Sequence, residues 1–164
     1  MAEEIFATRF PSPLGALTLL ASEESLCGLY FEDHQYPFAE DVKFLEPGDS
    51  TFASATTWLS HYFEQGLRKP LPKIELKQGT DFQLRVWQEL FRIPEGATTT
   101  YAEIAESIGS PKGVRAVGAA VGRNPISIVL PCHRVLGSDG SLTGFAGGIE
   151  RKRWLLVHEK ILQL

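Results

Sequence analysis

The chain has 164 residues, 43% of them apolar, with 16 basic and 20 acidic side chains and a net charge of −4. That composition supports a folded core and excludes wholesale disorder. No run approaches the ~20 apolar residues of a membrane span, the acidic start MAEEIFATRF lacks the apolar run of a signal sequence, and two cysteines, Cys27 and Cys132, make no disulfide framework. The expectation is a soluble cytoplasmic protein (nuclear if eukaryotic) with no membrane partner, and the four scattered histidines offer no metal-ligand spacing.

In chain order, EIFATRF, ALTLLA and LCGLYF predict three short strands, connected by SPLG and SEES. Cys27 lies in the third strand and reads as a small buried hydrophobe. Residues 33–49 are polar, hold two prolines and read as mostly loop. STFASATTWLSHYFEQG predicts a helix with Phe52, Ala55, Leu59, Tyr62 and Phe63 on one face and Gly66 at its end. His61 on that helix reads as an ordinary surface or boundary histidine rather than a ligand. RKPLPKIELKQGT, with two prolines and a glycine, reads as a linker. The expected domains are 1–76 and 77–164.

Beyond the linker the pattern becomes helical. DFQLRVWQELFRI carries Phe82, Val86 and Leu90 at four-residue spacing, with Trp87 and Phe91 widening the buried stripe. Thr100 and Glu103 form a capping box that opens TTTYAEIAESIG, and Gly109 closes that helix. SPKG then turns the chain into VRAVGAAVGRN, which is helix-turn-helix spacing. ISIVL predicts a short strand, SDGSLTGFAGG a glycine-rich loop, and IERKRWLLVHEKIL an amphipathic helix with Trp154, Leu155, Leu156 and Ile161 on its apolar side.

Charge is unevenly spread. Residues 1–80 hold 12 acids and 6 bases, whereas residues 81–164 hold 8 acids and 10 bases. No acid lies between Glu106 and Asp139, a window that contains Lys112, Arg115, Arg123 and Arg134. The window is either a chance gap or a face that holds phosphates, because salt screens the acidic remainder beyond ~8–10 Å. Its second helix is nearly bare, with Ala116, Gly118, Ala119, Ala120 and Gly122. A helical glycine costs ~1 kcal/mol against alanine, so close approach by another helix or by a DNA strand is expected. Arg115, in the first turn, is placed to enter a groove or fill a gap in a base stack.

PCHRV lies in the same window. A thiolate is the nucleophile of cysteine chemistry, and a free thiol is little ionised at neutral pH. His133 is a candidate base. In an extended segment it points away from Cys132, so direct contact needs a turn and a bridging water is simpler. Glu159, on the last helix, is a candidate to orient the imidazole. Asn124, before Pro125, is placed to tie backbone groups of the helix and the strand together.

FQLRVWQEL, TYAEIA, PKGVRAVGAAVGRNP, IVLPCHRV, GFAGG and WLLVHE together resemble the O6-alkylguanine-DNA alkyltransferases, or methylated-DNA–protein-cysteine methyltransferases, over nearly all of residues 81–160. The resemblance implies an α/β (α+β) fold: an N-terminal ribonuclease-H-like sheet with a helix, and a mostly helical, winged-helix-like DNA-binding domain. It implies Cys132 as alkyl acceptor, His133 as its base through a water, Glu159 as orienting carboxylate, Asn124 as hinge and Tyr101 as proton donor to the guanine. Arg115 is the implied finger that replaces a flipped nucleotide, with Lys112, Ala116, Gly118, Ala119 and Arg123 on the DNA face. Backbone groups of Cys132, Val135, Phe145 and Ala146, with Tyr101, are the implied base pocket.

The implied partner is double-stranded DNA carrying O6-alkylguanine, with O4-alkylthymine left open. The implied protein is a monomer, with cooperative assembly on DNA also open, and it needs no cofactor or metal. The loop reads GFAGG where several relatives have tyrosine or serine, Ala102 replaces a polar residue of some relatives, and the Cys/His zinc set of others is not present. A cysteine hydrolase fits the adjacent Cys132 and His133 poorly. A lesion-binding protein without transfer chemistry is disfavoured by the presence of Cys132.

Overall fold

The computed structural model describes residues 3–23, 25–33, 41–66 and 71–163, in two compact units. Unit one is Met1–Lys77 with Pro125–Ser127; unit two is Gln78–Asn124 with Ile128–Leu164.

Unit one is built on a four-stranded sheet of β1 (Ile5–Ser12), β2 (Gly15–Ser22), β3 (Ser25–Phe31) and β4 (Val42–Phe44), in the order β3-β2-β1-β4. Strands β1, β2 and β3 form an antiparallel meander, with register Phe6↔Ala21 through Ser12↔Gly15 in the first hairpin. Leu17, Leu19 and Leu29 are fully buried, and Cys27 is 8% exposed, a packed strand residue. Burial pushes its thiol up to about 11, so it is no ready nucleophile.

The reading of residues 33–49 as loop needs a correction. Val42–Phe44 form β4, parallel to β1, with Leu45 N donating to Ala7 O at 2.8 Å. Three residues are too few for a period to show, and partners across the sheet decide the outcome. Residues 34–40 of that stretch lie outside the described residues.

α1 (Ala53–Gln65) follows a single 3-10 turn, buries Ala55, Trp58, Leu59 and Tyr62, and ends at Gly66 with φ +88°. The linker is also more ordered than its prolines suggest, although residues 67–70 lie outside the described residues. Leu26 N donates to Lys73 O and Glu75 N to Leu26 O, so Ile74 bridges to the outer edge of β3. Ile126 bridges to Leu29 on the same strand. Two short pieces thus blunt an edge that would otherwise stay unpaired.

ISIVL is not a strand. Ile126 makes only that isolated bridge, and Ile128 takes φ +73°. A β-branched residue in the left-handed region costs ~1–3 kcal/mol and persists only where its surroundings impose it. Ile128 is 2% exposed, so its side-chain burial works against that strain.

In unit two, α2 (Asp81–Phe91) opens with a capping box that the sequence reading overlooks: Gln83 N donates to Thr80 Oγ1 and Thr80 N to Gln83 Oε1. Val86, Trp87 and Leu90 are buried, and the Trp87 indole N–H donates to Ala120 O at 2.8 Å, joining α2 to the helix that carries Ala120. Phe91 is 41% exposed rather than core; it is the last residue of the helix, and Ile93 takes the buried position beyond it.

β5 (Thr99–Thr100) leads into α3 (Tyr101–Ser107). Glu103 N donates to Thr100 Oγ1, but the Glu103 carboxylate accepts from Thr99 Oγ1, so only half of the expected box forms. Gly109, at φ +77°, closes α3, and α4 (Val114–Gly122) follows and packs on it. β6 (Val135–Leu136) pairs in parallel with β5, which sets the start of α3 beside the PCHRV segment. α5 (Ile149–His158) buries Leu155 and Leu156 as expected, but also Lys152, while Trp154 is only half-buried. No described helix is long and apolar enough to cross a membrane.

Candidate functional site

Pro131 introduces a single 3-10 turn at Cys132–Arg134, not the extended segment expected. Cys132 N donates to Leu130 O at 2.7 Å and Arg134 N to Pro131 O at 3.0 Å. In such a turn three consecutive side chains fan around the axis instead of alternating. Asn124 donates through Nδ2 to Leu130 O at 2.8 Å, and its side chain also hydrogen-bonds the Cys132 thiol. Asn124 is 2% exposed and Cys132 4%. Burial pushes the thiol up to about 11, while the Asn124 hydrogen bond and the Lys152 charge pull it down.

His133 is fully buried, with Nε2 2.5 Å from Glu159 Oε2. Arg134 Nε donates to Glu159 Oε1 at 2.7 Å. One carboxylate therefore joins an imidazole and a guanidinium inside the unit. Burial drives Glu159 up, but His133 and Arg134 outweigh it and hold the carboxyl at about 2. Burial pulls His133 below its ordinary value against the opposing pull of Glu159, so the ring is neutral. A neutral imidazole donates one N–H, and the ionised carboxylate accepts it from Nε2. Nδ1 is then the basic nitrogen, and it has no hydrogen-bond partner among the described residues.

Two residues of this centre escaped the sequence reading. Arg134 belongs to the basic window of the sequence, yet it is 5% exposed and serves Glu159. Lys152 is fully buried on α5, donating to Val135 O at 2.5 Å and Thr143 O at 2.7 Å. Burial pulls its ammonium down to about 8. Arg134 could have been found by asking what else an orienting carboxylate needs. Lys152 had no signal in its spacing.

Tyr101, the first residue of α3, is half-buried and donates through its hydroxyl to Thr143 O at 2.8 Å. Burial raises its phenol above the ordinary value. Gly144, at φ +65°, passes so close that an added Cβ would sit 3.1 Å from the Tyr101 oxygen. Phe145 and Ala146 follow in the same loop, both half-buried. Val135 is buried, and Lys152 already engages its carbonyl. Tyr101, Thr143 and Val135 are thus linked through Lys152 and one shared carbonyl.

On α4, Val117, Ala120 and Val121 face inward. Arg115, Ala116, Ala119 and Arg123 are exposed, as is Lys112 in the preceding turn, and Gly118 is half-buried. A Cβ at Gly118 would meet only Tyr101 Cδ1 at 3.9 Å, and one at Gly122 nothing within 4 Å. Packing within this unit therefore requires neither glycine. Arg115 has no hydrogen-bond or ion-pair partner among the described residues.

Residues 81–161 match the family described as 6-O-methylguanine DNA methyltransferase, DNA binding domain, and residues 5–78 its ribonuclease-like domain. The methylated-DNA–protein-cysteine methyltransferase of Haemophilus influenzae is 45% identical over 159 residues, covering 96% of this chain and 87% of that protein. The protein of the same name from Methanosarcina barkeri is 43% identical, covering 91% and 93%. The Mycobacterium tuberculosis OGT solved in complex with DNA superposes with a TM-score of 0.86 at 41% identity, covering 94% of this chain and 92% of that one. With both halves matched, and relatives of this identity spanning nearly the full length, the chain belongs to the 6-O-methylguanine DNA methyltransferase family.

Proposed function

We propose that this protein repairs O6-alkylguanine in duplex DNA by moving the alkyl group irreversibly onto its own Cys132, once per molecule. The observation that carries the reading is the buried thiol beside a neutral His133 whose Nε2 is held by Glu159, in the unit that presents a bare α4 with Arg115 at its first turn. A thiol 4% exposed reacts with a base seated in the pocket rather than with reagents at large.

In this reading α4 lies in the minor groove and Arg115 fills the gap left by an everted base, as chemistry on a stacked base requires. Lys112, Ala116, Gly118, Ala119 and Arg123 supply the rest of the DNA face. The thiol proton passes through a water to His133 Nδ1. A sulfur–carbon bond forms as the carbon–O6 bond breaks, and Tyr101 exchanges its Thr143 partner for the guanine, to which it gives its proton. Backbone groups of Cys132, Val135, Phe145 and Ala146 read the base edge. The division near residue 76 separates this acceptor part from the ribonuclease-like part. The protein acts as a monomer.

The test is intact-protein mass after incubation with a duplex containing O6-methylguanine. The expected result is a gain of one methyl group, abolished in Cys132→Ala. Arg115→Ala should slow duplex repair more than attack on a free O6-alkylguanine base. Equal losses on both substrates would remove the finger role.

A further inference from the structure

α2 is tied to both helices that follow it. Trp87 donates to Ala120 O on α4. Arg85, two positions earlier and so on another side of the helix, is exposed and donates through Nη2 to Ile108 O, at the C-cap of α3. The last carbonyls of a helix lack partners within it, and a cation there also meets the negative end of the dipole. Beyond Ile108 comes the turn of residues 109–113, which delivers Lys112 and then Arg115 at the start of α4. The turn closes through Ser110 N to Ala105 O and Gly113 N to Ser110 O, both at 2.8 Å, and Pro111 has no N–H to add. Among the described residues, the hydrogen bond from α2 to this end of α3 is the one that Arg85 makes.

Two roles compete for an exposed arginine beside this turn. One is direct contact with a phosphate. Asp81 and Glu89 oppose it, since they lie about one helical turn to either side of Arg85 on the same stripe of α2. The other is to fix the turn, and the bond to Ile108 O carries that role. We propose that Arg85 is a positioning residue for DNA binding: by clamping the end of α3 to α2, it orders the turn that presents Lys112 and Arg115 to the duplex. A segment ordered beforehand does not draw on binding energy to become ordered. The inference rests on the reading that α4 lies against DNA. Arg85 takes no part in the transfer itself, which belongs to Cys132, His133 and Tyr101.

The experiment compares Arg85→Gln and Arg85→Lys with the wild type. Duplex affinity is followed by fluorescence anisotropy across a salt series, and mass gain on Cys132 is followed with a free O6-benzylguanine base. Amide hydrogen exchange at Ser110 and Gly113 reports on the turn itself. Arg85→Gln should bind duplex about fivefold more weakly, the order of one lost hydrogen bond. Its slope of log affinity against log salt should match the wild type, because no phosphate contact is lost. The free-base rate should be unchanged, and both amides should exchange faster. Arg85→Lys keeps a donor and the charge, and should recover most of the affinity. Wild-type duplex affinity in Arg85→Gln overturns the proposal. A slope shallower by about 1 also overturns it, in favour of phosphate contact. Equal losses on duplex and free base overturn it as well, since they mean a general loss of the site.

Should Arg85→Gln fail to fold, Gly109→Ala replaces it. Gly109 sits at φ +77°, with nothing within 4 Å of an added Cβ, so alanine strains the turn without a clash. It should give the same split, a loss on duplex and none on the free base; a loss on neither or on both overturns the proposal. Ala119→Leu with wild-type duplex affinity overturns the reading of α4 itself, and it does so whatever the Arg85 variants show.

Discussion

Glu159 gathers most of the chemistry at the scale of single residues. It follows the last turn of α5, where a carboxylate meets the negative end of the helix dipole, and Arg134 offsets that cost at 2.7 Å. Its folded value of about 2 against an ordinary 4.5 means that it stabilises the fold above pH 4.5, and that this contribution is lost as pH falls toward 2. That difference is worth about 3 kcal/mol. His133 adds to the same acid loss, since it is held neutral and the unfolded chain takes up its proton below pH 6.5. Lys152 acts at the other end: its lowered value makes stability rise with pH between about 8 and 10.5. Glu159→Gln leaves Arg134 buried and unpaired, so a loss of about 3–5 kcal/mol in urea unfolding at pH 7 is expected. The variant should also lose less stability than the wild type between pH 4.5 and 2. Asn124→Ala removes hydrogen bonds to Leu130 O and to the thiol, and should cost ~1–3 kcal/mol together with slower alkyl transfer. Much of this centre was readable. PCHRV sets His133 beside the Cys132 thiol, and a base histidine needs an orienting carboxylate, which Glu159 offers. Lys152 was not readable, because on a helix wheel a lysine belongs to the wet face, and only tertiary packing shows two carbonyls waiting for it.

Elements were legible where a period had room to repeat. α1 and α2 have eleven or more residues, and most of their buried positions fall on the expected stripe, although Phe63 and Phe82 are only half-buried, Phe91 is exposed and Trp58 joins the buried set. β4 has three residues, β5 and β6 two each, and all three depend on partners distant in sequence. ISIVL reads as a strand by β-branching, but the turn at Ile128 overrides the propensity. In the proposed reading α4 is the element that lies against DNA. Ala119 is exposed, so Ala119→Leu should shift stability by no more than ~0.5 kcal/mol. If α4 lies against DNA, the same change should weaken duplex binding severalfold in fluorescence anisotropy; unchanged affinity would move the DNA face elsewhere. Trp87→Phe tests the other side of α4, since it deletes the indole donor to Ala120 O and leaves that carbonyl only the Arg123 N–H, at 3.1 Å. A loss of about 0.5–1.5 kcal/mol in thermal or urea unfolding is expected.

On the scale of the whole molecule, a chain of net charge −4 must approach a polyanion through a local surface. Arg134 is buried, so the acid-free window presents Lys112, Arg115 and Arg123 at the surface. If Lys112 and Arg123 neutralise phosphates, Lys112→Ala and Arg123→Ala should each make the slope of log affinity against log salt shallower by about 1. The first unit runs to Lys77 and takes in Pro125–Ser127, and the second unit begins at Gln78. That return of Pro125–Ser127 is not legible in the sequence, because an isolated bridge leaves no period. The most direct measurement uses the chain's two cysteines as mutual controls. Wild-type protein is incubated with O6-methylguanine duplex, digested and mapped by mass. The prediction is one methyl group on Cys132 and none on the buried Cys27. Full binding of the duplex with both thiols unmodified, or a methyl group on Cys27, contradicts it.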